Sequence, residues 1–281
     1  APVSGAIIAA LDWRWLFIIE GLLSLVVLVV WWFMISDRPQ EAHWLPARER
    51  DYLVTTLAAE RAAKQAEAPV SKAPVKDVFG NAGLMKLVIL NFFYQTGDYG
   101  YTLWLPTILK GLTGGNMASV GFLAVLPFVA TLAGIYVISL FSDHSGKRRL
   151  WVRFSLYSFA AALVASVVLR DQMVAAYIAL VICGFFLKSA TSPFWSMPGR
   201  IASPEVAGSA RGVINGLGNL GGFCGPYLVG VMMYLYGQNV AVCALAGSLI
   251  IAGTMTFLLP KQCDLVDSYS DVAIKKQPRN A

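Results

Sequence analysis

Long apolar segments alternate with shorter polar segments along the whole chain. The first apolar segment covers residues 13–35 and has tryptophans at both ends, as the interfacial anchors of a membrane span do. Six more follow, at roughly 84–109, 118–141, 150–169, 173–197, 206–236 and 239–259. Each is close to the roughly 20 residues that a helix needs to cross a bilayer. The pattern predicts an all-α membrane protein in which seven helices of this chain span the bilayer.

Three segments of the chain do not fit the spanning pattern. Residues 1–11 are apolar but too short to cross a bilayer, so we interpret the chain as beginning inside a helix and as a fragment of a longer protein. Residues 36–83 are polar, and Pro46 within them favours the start of an amphipathic helix with Leu53 and Leu57 on one face. Residues 260–281 form a polar, basic tail.

The lysines and arginines predict the orientation of the spans. Eighteen of them fall in or beside the 36–83 segment, the 141–153 and 198–211 turns, and the tail. Three fall on the opposite side, and Lys188 lies inside a span. Positively charged loops stay in the cytoplasm. We therefore expect the 36–83 segment and the C-terminus to be cytoplasmic, in a plasma (inner) membrane.

Glycine is unusually frequent in the 206–236 segment, where several glycines recur every four residues. In a bilayer such small residues let helices approach closely. Asn215 and Asn219, four residues apart, share a face of the predicted helix, which indicates the wall of a polar path. The run 216–221 (GLGNLG) matches a dinucleotide-binding pattern, but it lies inside an apolar segment without a preceding strand or a suitably spaced acid. We therefore predict no nucleotide site.

Composition narrows the class of protein. The chain is 57% hydrophobic and 14% charged, whereas soluble domains carry roughly 25% charged residues. The net charge of +6 therefore indicates membrane topology rather than nucleic-acid binding. The four cysteines are widely spaced and are interpreted as small buried hydrophobic residues, and two histidines exclude a histidine-rich metal site. Motifs of hydrolases and metalloproteases are missing from the sequence, so neither an enzyme nor a cofactor is predicted.

Asp98 and Lys188 are the charged residues deepest in the apolar segments. Unpaired charge inside a membrane costs several kcal/mol, so such residues usually face a cavity or a partner. One hypothesis is that Lys188 attracts an anionic substrate, while Asp98 either pairs with Lys188 or carries a proton. The other is that Lys188 reaches for the interface and Asp98 is hydrated where Gly97 and Gly100 loosen the helix. The sequence leaves both open.

Several runs resemble the major facilitator superfamily, and within it the anion:cation symporter family of organic-anion permeases. They are 12–21 (DWRWLFIIEG), 37–39 (DRP), 99–106 (YGYTLWLP), 194–198 (FWSMP) and the glycine-rich run that ends at Gly225 and Pro226. The resemblance implies a twelve-helix fold of two six-helix halves. It assigns residues 1–35 to the end of the fifth helix and the sixth, 36–83 to the central loop, 84–259 to the second half, and 260–281 to the tail. The first half is then the missing partner.

The run 142–149 (SDHSGKRR) resembles the cytoplasmic turn motif of the superfamily, which acts as a latch between inward- and outward-facing states. The residues that match are Asp143, Gly146, Lys147, Arg148 and Arg149. Ser139 and His144 depart from the motif, where glycine and arginine are usual. A short positively charged loop would explain the basic residues but not the aspartate or the glycine.

The resemblance also implies a lining for the central cavity. The residues at matching positions are Tyr101, Trp104, Ser192, Trp195 and Asn215. Amides, hydroxyls and indole N–H groups would orient the oxygens of an organic acid, and ring faces would cover its carbon skeleton. Asn219 joins Asn215 as a candidate, and Asp98 and Lys188 are candidates on their charge alone. The alternatives are packing beside the prolines for Trp195 and helix-to-helix hydrogen bonds for the two asparagines.

The function implied by this resemblance is secondary active transport. We expect proton-coupled symport of a small organic anion, such as a sugar acid or a dicarboxylate, by alternating exposure of a site between the two halves. The alternative is a transport-inactive membrane fragment or interaction partner. In the family the coupling acid and the main substrate arginine lie on first-half helices, so this sequence does not reveal the coupling ion.

Overall fold

The computed structural model describes residues 7, 11–67, 76–113, 117–202 and 206–264. These residues are helical apart from short turns, and none of them forms a strand, which confirms the all-α prediction. The chain divides into two compact units, residues 1–72 and 73–281. The predicted stub of a fifth helix and residues 265–281 of the tail lie outside the described residues, apart from isolated positions in the stub.

Two helices of the first unit lie within the described residues. Helix α1 covers Trp13–Met34 and begins where the Asp12 carboxylate accepts the N–H of Trp13 at 2.7 Å. None of its 22 residues is buried, although nearly all are apolar. A helix that is hydrophobic all round belongs in a lipid environment. After a 3₁₀ turn at Pro39–Glu41, helix α2 covers Ala47–Glu67, which confirms a helix after Pro46.

The second unit is a bundle of helices. In chain order they are α3 (Lys76–Gly80), α4 (Ala82–Thr113), α5 (Met117–Leu123), α6 (Val125–Ser145), α7 (Arg148–Val168), α8 (Met173–Leu187), α9 (Thr191–Trp195), α10 (Pro198–Ile201), α11 (Ala207–Gly218), α12 (Leu220–Tyr236) and α13 (Gln238–Met255). Helix α4 packs against α11, α12 and α13, helix α7 packs against α13 and α8, and helix α6 packs against α8. Helix α4 therefore has the glycine-rich helices on one side.

Glycine makes the closest helix contacts possible. A Cβ atom at Gly134 of α6 would overlap the carbonyl oxygen of Phe185 in α8, and one at Gly225 of α12 would overlap the carbonyl oxygen of Thr96 in α4. Side chains at these positions would force the backbones apart, as expected for small residues between membrane helices. By contrast, no described atom beyond the glycine's own helix backbone lies within 4 Å of a Cβ atom built at Gly208, Gly212 or Gly216.

Five helical stretches of the described chain are long and apolar enough to cross a membrane. They are Trp13–Met34, Val120–Ser145, Arg148–Val168, Met173–Ile201 and Gln238–Leu258. The predicted spans 84–109 and 206–236 are not among them. The first is a continuous 32-residue helix with polar residues along its length, and the second is rich in glycine and is interrupted at Asn219. The prediction of one uninterrupted helix over 206–236 is therefore wrong.

Two further expectations are corrected by the structure. The turn expected over 141–153 is short, because residues up to Ser145 and from Arg148 onward are helical. The cysteines are not uniformly buried: Cys183 and Cys263 are, whereas Cys243 is exposed on the outside of the bundle. An exposed thiol is compatible with a helix surface that faces lipid, since cysteine behaves as a small hydrophobic residue.

Candidate functional site

Two breaks in the helices bring polar groups to the same region as α4. Helix α8 ends at Leu187, with Lys188 as its C-terminal cap, and α9 begins at Thr191. Pro193 accounts for this break, because a proline has no N–H to offer the carbonyl four residues earlier. The second break is at Asn219, between α11 and α12. A cation at the end of α8 is also favoured by the negative end of the helix dipole.

Lys188 and Asp98 form an ion pair across the bundle. The Lys188 ammonium donates to Asp98 Oδ2 at 2.6 Å and lies 5.6 Å from the centre of the Tyr99 ring. The two partners differ in exposure, since the lysine side chain is 39% exposed and the aspartate 2%. Asp98 Oδ1 is buried and has no hydrogen-bond partner within the described part of the protein. The geometry agrees with the hypothesis that Asp98 pairs with Lys188. A role of either residue in substrate binding remains a prediction.

Three amide side chains are joined by hydrogen bonds next to this pair. Gln95 of α4 donates to the Asn219 side-chain oxygen at 2.9 Å, and Asn219 donates to the Asn215 side-chain oxygen, also at 2.9 Å. We call these three residues the amide chain. Asn215 is exposed, and the other two are half-buried. Gln95 was not predicted as a site residue, although its position one helical turn before Asp98 and Tyr99 puts all three on one face of α4.

The amide chain and the ion pair together form a polar strip on helices that are otherwise apolar. The Tyr99 ring lies 5.6 Å from the Lys188 ammonium and also packs on Gly222 of α12, where a Cβ atom would come within 2.9 Å of it. Free amide donors and acceptors with a partly exposed ammonium suit a ligand that carries hydroxyl and carboxylate groups. The polar strip consists of Gln95, Asp98, Tyr99, Lys188, Asn215 and Asn219.

The remaining predicted lining residues divide into three groups. Ser192 is exposed and Trp195 half-buried, both shortly after Lys188, but the described contacts do not link them to the strip. Trp104 is half-buried and its indole N–H donates to the Pro226 carbonyl at 3.2 Å. Tyr101 is fully buried, and its hydroxyl donates to the Leu180 carbonyl at 2.8 Å. In this conformation Tyr101 holds α4 against α8 and does not reach the strip.

Two buried side chains hydrogen bond to the backbone immediately before residues of the polar strip. Asn91 donates to the Ile214 carbonyl at 3.0 Å, just before Asn215. The Tyr94 hydroxyl donates to the Leu187 carbonyl at 2.8 Å, just before Lys188. These side chains fix the backbone beside the two helix breaks. Both side chains are buried.

The turn between α6 and α7 depends on its glycine. Gly146 has φ of 68°, a left-handed conformation that favours glycine, and caps the C-terminus of α6. Arg148 lies 3.9 Å from Asp143, and Lys147 is exposed. The left-handed backbone of the turn therefore explains the glycine of the predicted latch. The switching role of the turn remains a prediction.

Arg149 binds the end of the described chain. Its guanidinium lies 2.8 and 2.7 Å from Asp264 Oδ2, its backbone N–H donates to the other carboxylate oxygen at 3.0 Å, and it also donates to the Leu259 carbonyl at 2.9 Å. Burial raises the pKa of the neighbouring Cys263 thiol to about 11, against the opposing effect of Arg149. This clamp joins the start of α7 to the segment that follows α13.

The described residues contain no cluster of three or more metal-binding side chains. The glycine run 216–221 lies across the junction of α11 and α12, which is helical on both sides and unlike a nucleotide-binding turn.

The family model of the Major Facilitator Superfamily matches residues 1–226 and, in a second match, residues 87–264. A putative tartrate transporter of Agrobacterium vitis is 30% identical over 93% of this chain and 58% of its own length. A quinolone resistance transporter of Acinetobacter baumannii is 28% identical over 82% of this chain and 52% of its own length. A D-galactonate transporter of Escherichia coli is 24% identical over 89% of this chain and 59% of its own length. The chain thus spans somewhat more than half the length of these curated relatives.

Proposed function

The chain belongs to the Major Facilitator Superfamily, and from this membership we propose that it forms the substrate-binding half of a secondary transporter for small hydroxylated organic anions. It is a multi-pass integral membrane protein. Substrate would bind against the polar strip and be exposed to the two sides of the membrane in turn. In this proposal residues 84–259 are the six-helix transport half, 36–83 the central loop, and 1–35 the end of the preceding half.

The observation that carries this proposal is the amide chain. Gln95 and Asn219 hydrogen bond between helices, and Asn219 in turn binds Asn215, whose side chain is exposed at the end of the chain of amides. An amide chain offers both donors and acceptors, which a row of substrate hydroxyl groups can replace one for one. The partly exposed Lys188 ammonium at the other end of the strip supplies the charge that attracts an anion.

The relatives support the same class of substrate. Two of them are named for tartrate and D-galactonate, both of which are carboxylates with several hydroxyl groups. One carboxylate at Lys188 and hydroxyl groups at the amide chain would use both parts of the strip. Aromatic rings nearby, such as that of Trp195, would cover the carbon skeleton.

We also propose an orientation and a coupling ion. The excess of lysine and arginine on one side supports a cytoplasmic C-terminus in a bacterial inner membrane, with the turn at Gly146 on the cytoplasmic side as the conformational latch. Proton coupling is proposed because an organic anion must be drawn in against a membrane potential that is negative inside, and a co-transported proton offsets its charge.

Uptake into liposomes tests the proposal. Purified protein is reconstituted, and uptake of radiolabelled L-tartrate and D-galactonate is measured under an inward proton gradient. Asn219→Ala breaks the amide chain at its centre and leaves a substrate hydroxyl without its hydrogen-bond partner. Such a loss costs about 1–3 kcal/mol, so the half-saturating concentration is expected to rise about ten- to hundredfold. Asn239→Ala, which changes a half-buried amide at the start of α13, is the matched control. Failure of the unaltered protein to take up or bind either anion would contradict the proposal.

A further inference from the structure

The ion pair between Lys188 and Asp98 is asymmetric in a way that a structural salt bridge does not require. Asp98 is almost completely buried, whereas more than a third of the Lys188 side chain is exposed. A ligand in the surrounding solvent can therefore contact the Lys188 ammonium, whereas the Asp98 carboxylate is inaccessible to it. An ammonium has three N–H donors, and one of them is bound to Asp98 among the described residues. The others are available to an incoming anion.

The carboxylate of Asp98 depends on this one cation. Oδ2 accepts from Lys188, and Oδ1 lacks a donor in the part of the chain that the structure describes. A buried carboxylate is costly unless it is paired and hydrogen-bonded. If a second anion draws Lys188 away, Asp98 loses its only described counter-ion. Two carboxylates sharing one ammonium inside a membrane would leave a net negative charge there.

Resting on the proposed function, we propose that Lys188 is the substrate-carboxylate site and that Asp98 takes up one proton when the substrate anion replaces it on Lys188. The balance is simple. The substrate carboxylate forms an ion pair with the Lys188 ammonium, the pair between Lys188 and Asp98 breaks, and a proton from the aqueous side neutralises Asp98. The carboxylate bound at Lys188 then adds no net charge to the strip, and one proton is taken up for each carboxylate bound there.

The surroundings of Asp98 leave it as the group that takes up this proton. On its own helix the titratable neighbours are Tyr94, whose hydroxyl is bound to the Leu187 carbonyl, and Tyr99, beside Lys188. From α8 the facing charge is Lys188 itself. On α13, Leu245 lies against Gly100 and Leu249 against Gly97. On α12, Gly222 lies against Tyr99 and Gly225 against Thr96.

Calorimetry with the purified protein in detergent tests this inference. L-tartrate is titrated at one pH in buffers of different ionisation enthalpy, so that the dependence of the heat on the buffer gives the number of protons taken up. The unaltered protein is expected to take up about one proton per tartrate where Asp98 is ionised beforehand. Asp98→Asn is expected to bind tartrate without that uptake. Lys188→Gln is expected to bind it about ten- to hundredfold more weakly, as for a lost charged hydrogen bond.

Two controls separate the outcomes. Asp171→Asn changes an exposed aspartate paired with Arg170 at 3.7 Å and should leave proton uptake unchanged. The double variant with Asp98→Asn and Lys188→Gln removes both charges, keeps the site neutral and should fold but bind as weakly as Lys188→Gln. An infrared difference spectrum should also gain a protonated-carboxyl band on tartrate binding that Asp98→Asn lacks.

The contradictory results are distinct. If the unaltered protein binds tartrate but takes up no proton, or if Asp98→Asn takes up the proton undiminished, the exchange at Lys188 is wrong while anion transport stands. If Lys188→Gln binds tartrate with undiminished affinity, Lys188 is not the carboxylate site. If the unaltered protein binds neither tartrate nor D-galactonate, the proposed function fails and this inference fails with it.

Discussion

Replacing Lys188 with methionine is expected to destabilise the protein more than replacing Asp98 with asparagine. The lysine variant leaves a carboxylate that is 2% exposed with neither oxygen paired among the described residues. Breaking a buried ion pair from one side costs about 3–5 kcal/mol. The aspartate variant leaves an ammonium that is 39% exposed and so partly solvated, and the new amide can still accept from it. We expect a cost of about 1–2 kcal/mol there.

The double variant distinguishes a pair from two independent charges. With both charges removed, no uncompensated charge is left inside the bundle, so the double variant should be more stable than Lys188→Met alone. The coupling free energy should be about 2–3 kcal/mol, the upper part of the range for residues in direct contact. Two independent charges would instead give additive effects within about 0.5 kcal/mol.

The free energy of unfolding is measured in mixed micelles by denaturant titration followed by circular dichroism. The exposed pair of Arg170 and Asp171, 3.7 Å apart, is the matched control, and its variants should change stability by less than about 0.5 kcal/mol. Additive effects for Asp98 and Lys188, or a larger cost for Asp98→Asn than for Lys188→Met, would refute the reasoning from exposure.

Three other predictions concern packing, the clamp and topology. Gly134→Ala places a methyl group against the Phe185 carbonyl and should lower stability by about 1–3 kcal/mol in a thermal-shift assay. Gly247→Ala, whose new Cβ atom would have no neighbour within 4 Å among the described atoms outside its helix backbone, should not lower it, and equal effects would contradict the packing. Asp264→Asn weakens the clamp on Arg149 and should lower the stability of the protein by about 1–3 kcal/mol in the same assay. The control variant Asp171→Asn should leave the stability unchanged. A cysteine at position 64, in α2, should resist an impermeant reagent added outside intact cells; labelling there would overturn the topology.

The sequence predicted the helices better than the breaks between them. Apolar length and the tryptophans bounded α1 closely, and the proline at position 46 marked the start of α2. The break after α8 had a local signal in Pro193, which removes a backbone donor, but the apolar run continues through it and hid the signal. The break at Asn219 has no such mark, because glycine and asparagine are tolerated inside membrane helices when neighbouring helices satisfy the backbone.

The site was predicted where local spacing was enough. Asn215 and Asn219 lie four residues apart and were therefore expected on one face, and they hydrogen bond to each other. Pairing of Asp98 with Lys188 was one of two open hypotheses, since nothing in the sequence fixes how α4 faces the end of α8. Gln95 was missed because its partner is on another helix, 124 positions away. The hydroxyl of Tyr101 was assigned to the cavity but is bound to a carbonyl inside the bundle, a contact that depends on helix rotation.

The most direct test of an anion site on the polar strip is a distance between substrate and Lys188. Solid-state NMR of the protein in lipid, with carboxyl-¹³C L-tartrate and ¹⁵Nζ-lysine, measures the dipolar coupling between the two labels. We expect a carbon-to-nitrogen distance of about 4 Å or less, as in an ion pair, from a signal that Lys188→Arg removes without abolishing binding. Tartrate bound with no coupling to Lys188 would contradict the site.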